Sequence, residues 1–290
     1  MKNALLFPGQ GSQTVGMGKD LYDNYQSARE ILEEACDILG YDLKKKMFEG
    51  PEEDLMDTGY AQPAIYTCSS MYLEKAKQNG ITYDFAAGHS LGEYNALYAA
   101  GVFSFADGLK LIEKRAKLMA AQNGKGTMYA VLGLDEEQLR LYVDQESEVV
   151  MANLNTRTQI VISGDNSGVE SIVSRLDGIE GVMVKKLNVS AAFHSPQMVE
   201  AADELKKEIE VLGFSEPKVT VVSNVTGKPT NNAREIKDNL MAQMTGQVRW
   251  FDSIIAMKEA GVDLFYECGH GNVLRRMNKA IVLQPKCLSL

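Results

Sequence analysis

Residues 86–96 read "AAGHSLGEYNA", in which Ser90 has a glycine two positions to either side. A short apolar run, "YDFAAGH", leads into this motif, and an alanine-rich run, "LGEYNALYAAG", follows the serine. This is the pattern of a strand, a sharp turn and a helix, which thrusts a serine hydroxyl into solvent as a nucleophile. Gly88 and Gly92 suit such a bend, because larger side chains would collide there. A serine that merely caps a helix is the competing interpretation.

The rest of the chain alternates between short apolar runs and amphipathic stretches. "NALLF", "KVTVVSN" and "DLFYEC" are typical of buried strands, and helical patterns separate them. Such alternation predicts a parallel sheet with helices on both faces. Between Gly126 and Ser190 the order becomes strand, helix, strand, strand, helix, strand, the pattern of a ferredoxin-like subdomain. We therefore predict an α/β core over residues 1–125 and 191–290, with residues 126–190 as an inserted subdomain.

Three helices have recognisable ends. One is predicted over residues 19–39, where apolar residues recur at helical spacing. A second is predicted over residues 63–80, because proline is favoured in the first turn of a helix and glycine just after its end. A third is predicted over residues 104–122, where Ser104 and Asp107 resemble a capping box.

Charge and composition argue against several classes of function. The net charge of −9 disfavours nucleic acid as a partner, because phosphate binding needs a concentrated basic surface. No apolar run approaches the length that crosses a membrane, and Pro8 and Gly9 interrupt the apolar start before a signal peptide could form. The four cysteines form no Cys-x-x-Cys pair, so neither a metal site nor a disulfide framework is predicted. We expect a cytoplasmic monomer.

A serine hydroxyl becomes a good nucleophile when a base takes its proton, and the chain has three histidines. His89 adjoins the serine and is badly placed, because neighbouring residues leaving a strand point to opposite faces. His270 lies in the glycine-flanked loop "CGHGN", where shaping the loop or contacting a partner suits it better. His194 precedes Ser195 and Pro196, a helix-start pattern that holds a side chain fixed and accessible. We assign the base to His194; a buried structural histidine is the competing interpretation.

No acid stands out as the partner of this histidine. An α/β-hydrolase places an aspartate or glutamate between the serine and the histidine, at the tip of a strand. Candidates such as Asp135 and Asp165 fall in helical or turn contexts instead. A backbone carbonyl or a side-chain amide would then orient the histidine, which suits a thioester because a thioester demands less of the base than an amide does.

A second glycine-rich stretch, "FPGQGSQTVGMGK", follows the first predicted strand. It fails the P-loop pattern because Met17 stands in place of lysine, and it fails the dinucleotide pattern because Thr14 stands in place of a small residue. Such a loop can instead offer a backbone N–H to a developing oxyanion, together with the N–H of the residue after the nucleophile. That pairs Gln10 with Leu91.

Arg115 stands apart from the other cations of its predicted helix. The lysines share the face opposite the apolar stripe, whereas Arg115 flanks the apolar side. An arginine in that position either pairs with an internal acid or holds a ligand carboxylate in bidentate fashion. The residues alone leave both roles open.

Taken together, "FPGQGSQTVGMG", "GHSLGEY", "EKRAKLM", "AAFHSPQM" and "QMTGQVRW" resemble the malonyl-CoA:acyl carrier protein transacylase family, in order from Leu5 to about Ile281. The resemblance implies an α/β-hydrolase-like core with a ferredoxin-like insert. It also implies a ping-pong reaction, in which the serine takes malonyl from malonyl-CoA and passes it to the phosphopantetheine thiol of an acyl carrier protein. No resident cofactor or metal is implied, since coenzyme A and phosphopantetheine belong to the substrates.

The matched motifs also imply a role for each site residue. A bulky residue before the histidine crowds the α-carbon of the acyl group, which favours malonyl over methylmalonyl. The implied roles are nucleophile for Ser90, base for His194, oxyanion hole for Gln10 and Leu91, carboxylate clamp for Arg115, acceptor that orients the histidine for Gln243, and the crowding residue for Phe193.

One segment departs from the family pattern. The family often has Gly-Pro-Gly-Lys near the C-terminus, whereas residues 269–272 read Gly-His-Gly-Asn. This segment and "EYNALYAAG" are similar to free-standing acyltransferases of polyketide assembly, so fatty-acid and polyketide pathways both stay open. An acidic carrier protein needs a local basic patch on this acidic chain, for which the candidates are Lys185, Lys186, Arg275 and Arg276.

Two other classes of function compete with transfer. A hydrolase that releases acyl groups from coenzyme A or from carrier proteins would share Ser90 and His194, but it has no use for a carboxylate clamp. A non-catalytic module that binds carrier proteins would not need the serine, the histidine and Arg115 together.

Overall fold

The computed structural model describes residues 2–282 and 286–290. In chain order the strands are β1 (Lys2–Phe7), β2 (Phe85–Gly88), β3 (Thr127–Leu132), β4 (Val149–Thr156), β5 (Gln159–Gly164), β6 (Met183–Lys186), β7 (Thr220–Val222), β8 (Pro229–Thr230), β9 (Val262–Glu267) and β10 (Lys286–Ser289). The α-helices are α1 (Lys19–Asn24), α2 (Gln26–Leu39), α3 (Leu43–Glu49), α4 (Glu52–Met56), α5 (Thr58–Gln78), α6 (Gly92–Ala99), α7 (Phe105–Ala120), α8 (Glu136–Val143), α9 (Asn166–Leu176), α10 (Val199–Val211), α11 (Ala233–Ala242), α12 (Trp250–Glu259) and α13 (Val273–Lys279). A short 3₁₀ turn, Pro196–Met198, leads into α10.

The larger sheet has six described strands in the order β10-β9-β1-β2-β7-β8. All its neighbours pair in parallel except β7 and β8. Ala4 and Leu6 of β1 pack into a core with α12 and α13, whereas Leu5 and Phe7 pack into a second core with α5 and α7. Both faces of the central strand are therefore covered, which explains its uninterrupted apolar run. The predicted parallel sheet with helices on both faces is confirmed.

The carboxyl ends of the parallel strands lie together at one edge of this sheet. Phe7, at the end of β1, is in register with Gly88, at the end of β2, and β7 and β9 pair in parallel with these strands. The glycine-rich loop and the Ser90 turn therefore leave the sheet side by side. This edge is where α/β sheets bind their ligands.

The second sheet is built from β3 to β6 in the order β4-β5-β3-β6, and its pairs are antiparallel. The predicted order of strands and helices in this part of the chain is confirmed. One face packs on α8 and α9, where Leu139 and Ile172 are buried. The other face contributes Met128, Ala130 and Val161 to the core of the larger sheet. The cleft between the two sheets is therefore lined from both sides.

The helix predicted over residues 19–39 is two helices, α1 and α2, so that prediction is wrong in part. Tyr25 is extended and separates them, with φ −128°. The side-chain amide of Asn24 donates to the Asp20 carbonyl at 2.7 Å and so closes the end of α1. Asparagine competes for backbone groups in this way, but a single asparagine is a weak signal in a sequence.

Helix α5 begins at Thr58, before the start predicted at Pro63. Asp57 is the N-cap, and its carboxylate accepts the Gly59 N–H at 2.7 Å. The cap decides the start, and the proline is accommodated inside the helix. The predicted start of α7 is confirmed, because the Ser104 hydroxyl accepts the N–H of Asp107. Helices α3, α4 and α13 were not predicted from the sequence.

The remaining structural predictions concern cysteines and membranes. The four cysteines are free thiols, and Cys68, Cys268 and Cys287 are buried. Within residues 2–282 and 286–290, no helix combines the length and the apolar character that crossing a bilayer requires.

Candidate active site

The backbone is strained at two residues that the sequence singles out. Within the described part of the chain, Ser90 and His194 are the non-glycine residues with positive φ, at 51° and 56°. L-residues rarely adopt this conformation, and where they do the site is often functional. The two strained residues meet, since Ser90 Oγ lies 2.7 Å from His194 Nε2.

The two glycines around Ser90 are required by backbone contacts. A Cβ on Gly88 would lie 1.9 Å from the carbonyl carbon of Gly92, and a Cβ on Gly92 would lie 2.1 Å from the Phe7 carbonyl oxygen. The turn between β2 and α6 is thus packed against itself and against the end of β1. No larger residue fits at either position without moving the backbone.

Backbone carbonyls orient His194. Its Nδ1 lies 3.0 Å from the Gln243 carbonyl oxygen and 3.1 Å from that of Gly246. Because carbonyls only accept, Nδ1 carries the proton and Nε2 is free to accept from the Ser90 hydroxyl. Burial lowers the pKa of His194 from 6.5 to about 3, and the nearby charge of Arg115 adds to this effect. The histidine is therefore neutral at physiological pH.

Arg115 reaches this pair from α7. Its side chain is buried, and Nη1 donates to Gln62 Oε1 at 2.6 Å while Nη2 donates to Ser90 Oγ at 3.0 Å. Burial lowers its pKa, although the nearby carboxylate of Glu93 opposes the shift. The ion pairs of the described residues do not include Arg115. The guanidinium thus donates to the uncharged acceptors Gln62 and Ser90.

Two residues near Ser90 have backbone N–H groups without an acceptor among the described residues. Gln10 follows β1, Leu91 follows Ser90, and both line the cleft. Among the described residues, no backbone acceptor lies opposite the N–H of either one. The two loops touch closely, because a Cβ on Gly9 would lie 2.5 Å from the His89 carbonyl oxygen. Free N–H groups beside a serine hydroxyl can accept a developing negative charge.

Asn224 forms hydrogen bonds to both ends of the turn, and the sequence analysis did not single it out. Its Oδ1 accepts the Ser90 N–H at 2.7 Å, and its Nδ2 donates to the Gly88 carbonyl at 2.7 Å. The side chain thus bridges the strand end and the serine. Its position two residues after β7 was an available signal, because the residues that follow parallel strands lie at one edge of the sheet.

Glu93 is a second residue that the sequence analysis missed. Its buried carboxylate accepts from Gln243 Nε2 at 2.6 Å, from the Ser223 hydroxyl at 3.0 Å and from the Asn224 N–H at 3.2 Å. Burial raises the pKa of Glu93, and these hydrogen bonds and the charge of Arg115 oppose the rise. Gln243 Nε2 also donates to the Ser90 carbonyl at 2.9 Å. Gln243 therefore serves the site with its side chain as well as with its carbonyl.

The site opens into a cleft of about 370 Å³ between the two sheets. Phe193 lines it from the core, and Met128, Asn155 and Val161 line it from the second sheet. His89 is turned away from the base position, since its Nε2 lies 2.8 Å from Asn155 Oδ1.

His270 lies apart from the serine and joins two loops. Its Nε2 is 2.9 Å from Thr14 Oγ1 in the glycine-rich loop. This contact agrees with the loop-shaping role that the sequence favours for His270 over the base.

A serine hydroxyl 2.7 Å from a neutral histidine, near backbone N–H groups without acceptors among the described residues, is an arrangement typical of enzymes that carry an acyl group on serine. The acyl transferase domain family matches residues 4–279, and this chain belongs to that family. The protein is an acyltransferase.

Relatives with curated names cover nearly the whole chain. The malonyl CoA-acyl carrier protein transacylase of Bacillus subtilis strain 168 is 41% identical over 305 residues, with 100% of this chain and 96% of its own covered. A polyketide biosynthesis malonyl CoA-acyl carrier protein transacylase of the same strain is 42% identical over 273 residues, with 93% of each chain covered.

A solved structure also resembles the chain over its whole length. It holds a type II polyketide synthase acyl-carrier protein in complex with its malonyl-transacylase. It matches with a TM-score of 0.93 at 35% identity, covering 100% of this chain and 95% of its own.

Proposed function

We propose that the protein moves malonyl from malonyl-CoA to the phosphopantetheine thiol of a holo acyl carrier protein, through a malonyl ester on Ser90. One observation carries the proposal: the buried guanidinium of Arg115 lies 3.0 Å from the Ser90 hydroxyl and has no carboxylate partner of its own among the described residues. A free carboxylate on the acyl group would supply that partner. The names of the relatives agree with this substrate.

In the first half of the reaction, Ser90 Oγ attacks the thioester carbonyl as its proton passes to His194 Nε2. The oxyanion is stabilised by the N–H groups of Gln10 and Leu91. When the tetrahedral intermediate collapses, the C–S bond breaks, and His194 returns the proton to the departing thiolate of coenzyme A. The malonyl carboxylate stays on Arg115.

In the second half, the thiol of the phosphopantetheine arm gives its proton to His194, and its sulfur attacks the ester carbonyl. The ester C–O bond breaks, and the proton returns to Ser90 Oγ. No resident cofactor enters this sequence, because both thiols arrive with the substrates. The Gln243 and Gly246 carbonyls keep the imidazole in one tautomer in both halves.

Phe193 is the proposed determinant of acyl size. It precedes the base, is buried and lines the cleft. An aromatic ring there leaves little room for a methyl branch on the α-carbon, so malonyl is favoured over methylmalonyl.

The proposed partners are malonyl-CoA and an acyl carrier protein, with neither nucleic acid nor membrane involved, and the protein acts as a cytoplasmic monomer. The basic pairs Lys185–Lys186 and Arg275–Arg276 are proposed for docking the acidic carrier. Support comes from their positions: the first pair directly precedes Leu187 and the second directly follows Leu274, and both of these residues line the cleft.

The proposed architecture is an α/β-hydrolase-like core over residues 1–125 and 191–290, with a ferredoxin-like subdomain over residues 126–190. The strand order β4-β5-β3-β6, with one helix after the first strand and one after the third, supports the description of the insert.

The test is intact-mass analysis of the protein mixed with malonyl-CoA, followed by addition of a holo acyl carrier protein. The wild type is expected to gain one malonyl group, and Ser90→Ala is expected to gain none. On addition of the carrier, the mass should move from the enzyme to the carrier. Rapid appearance of free malonate without loading of the carrier would contradict the proposal and favour a hydrolase.

A further inference from the structure

Ser163 is a fully buried polar residue on the face of the second sheet that packs toward the active site. Along β5, Ile160 and Ile162 pack against α8 and α9, whereas Val161 faces the cleft. Ser163 follows this alternation on the Val161 side, and its hydroxyl donates to the Phe193 carbonyl at 2.7 Å. The contact joins the insert to the residue directly before the base.

The Phe193 carbonyl belongs to the peptide group that joins Phe193 to His194. The orientation of that peptide plane sets the φ angle of His194, which has the strained value of 56°. Such a value persists only where the surroundings impose it. A buried hydroxyl that fixes the carbonyl is therefore a direct restraint on the direction in which the imidazole leaves the backbone.

The same sheet also bonds to the chain two residues after Gly246, whose carbonyl is one of the two acceptors of the imidazole. Val248 follows Gly246 by two residues, and its N–H donates to the Ala152 carbonyl of β4 at 2.8 Å. The Leu154 N–H donates in return to the Val248 carbonyl, also at 2.8 Å. Strands β4 and β5 are neighbours, with Val150 opposite Ser163. The second sheet thus bonds to the residue before the imidazole and to the segment that follows one of its two acceptors.

We infer that Ser163 is a positioning residue for the base: its hydroxyl fixes the Phe193–His194 peptide so that His194 Nε2 stays within hydrogen-bond distance of Ser90. The inference rests on the proposed function only in assigning the base to His194, and it is independent of the acyl group transferred.

The experiment measures two rates on Ser163→Ala. The first is phosphonylation of Ser90 by a fluorophosphonate, in which Ser90 Oγ bonds to phosphorus, fluoride leaves and His194 accepts the hydroxyl proton. The second is malonyl loading, measured against malonyl-CoA concentration. Both rates are expected to fall about 10- to 100-fold, because a misplacement of about 1 Å has effects of that size. The KM for malonyl-CoA should change less than about twofold, since Ser163 does not touch the carboxylate clamp.

Two further variants separate positioning from general stability. Ser70→Ala removes another fully buried hydroxyl, which donates to the Tyr66 carbonyl at 2.9 Å inside α5, and it should keep both wild-type rates. Ser163→Cys keeps the size and a weak donor, and its rates should fall between those of Ser163→Ala and the wild type. The cysteine variant takes the place of Ser163→Ala if the latter does not fold.

Labelling of folded Ser163→Ala at the wild-type rate would overturn the inference, and so would equal slowing in Ser70→Ala. Because phosphonylation involves no malonyl, the labelling rates decide on Ser163 even if the wild type takes up no malonyl. Failure of the proposed function is thereby kept distinct from failure of the positioning role.

Discussion

Ser90 Oγ lies between a base and a cation: it donates to His194 Nε2 at 2.7 Å and accepts from Arg115 Nη2 at 3.0 Å. A general base is most effective when its pKa lies near the working pH, and the pKa of His194 is far lower. The arginine compensates, because its charge favours the alkoxide form of the serine. In the proposed reaction, a substrate carboxylate that neutralises this charge would remove one cause of the lowered His194 pKa and so strengthen the base on binding.

Arg115→Ala is predicted to lower the kcat/KM for malonyl loading by about 100-fold or more, the equivalent of about 3 kcal/mol for losing one partner of a buried ion pair. The kcat/KM for loading from acetyl-CoA, which has no free carboxylate, should fall much less. Intact-mass time courses with each donor measure both effects. The matched control is Lys114→Ala, an exposed cation next to Arg115 on α7 that pairs with Glu208 at 3.3 Å, and it should load normally. Undiminished malonyl loading in Arg115→Ala would remove the arginine from the site.

The pH dependence of phosphonylation follows from the histidine. A base with a pKa lowered to about 3 stays unprotonated as the pH falls through 6.5, so the rate should be flat between about pH 5 and about pH 7.5. In Arg115→Ala the pH at which the labelling rate falls on the acid side should be higher than in the wild type. It should stay below 6.5, because burial is the larger cause of the lowered His194 pKa. Labelling rates across this range are the measurement, and a wild-type midpoint near 6.5 would contradict the burial of the base.

Among single residues, local sequence patterns singled out Ser90, His194 and Arg115, whose side chains meet in the structure. A nucleophile turn, a helix start and a misplaced cation each leave such a local pattern. Glu93 and Asn224 were missed because their function depends on contacts between residues about 130 positions apart. No spacing within the chain announces such contacts.

Among the structural elements, the turn between β2 and α6 has the least freedom. Its glycines are fixed by backbone atoms, which cannot move aside as a flexible side chain can. The helix ends are less strictly determined than this turn. The caps at Ser104 and Asp57 decide where α7 and α5 begin, and a proline near the start of α5 was a misleading signal. Propensity rules name the residues that end helices, but tertiary packing decides which of them are used.

Gly88→Ala is predicted to destabilise the protein by about 3 kcal/mol or more, because the new Cβ would overlap the Gly92 carbonyl group and relief requires a backbone shift. Malonyl loading of Ser90 should also be lost in Gly88→Ala. Gly213→Ala is the matched control, since a Cβ there meets no atom within 4 Å, and its effect should stay within about 0.5 kcal/mol. Urea unfolding of the two variants makes the comparison. A Gly88→Ala protein as stable as the wild type would show that the turn relaxes.

For the whole molecule, alternation along the sequence predicted the parallel sheet and the order of elements in the insert. It did not predict how the insert meets the core, because that junction combines the apolar side chains of Met128, Ala130 and Val161 with backbone hydrogen bonds between Val248 and β4. Asn155 and Ser163 were visible as polar residues within β4 and β5. Only the assembled fold shows what they contact.

The junction at Val248 determines how the molecule can move. Its two backbone hydrogen bonds, each 2.8 Å long, join the segment before α12 to β4 of the second sheet, two residues from the Gly246 carbonyl that His194 contacts. Opening the cleft on that side would have to break both hydrogen bonds. It would also move the segment that carries the Gly246 carbonyl, an acceptor of the imidazole. The cleft is therefore already formed before any thioester binds. In the proposed reaction, the conformational entropy lost on loading would then come mainly from the flexible phosphopantetheine arm that enters the cleft, and less from the protein around it.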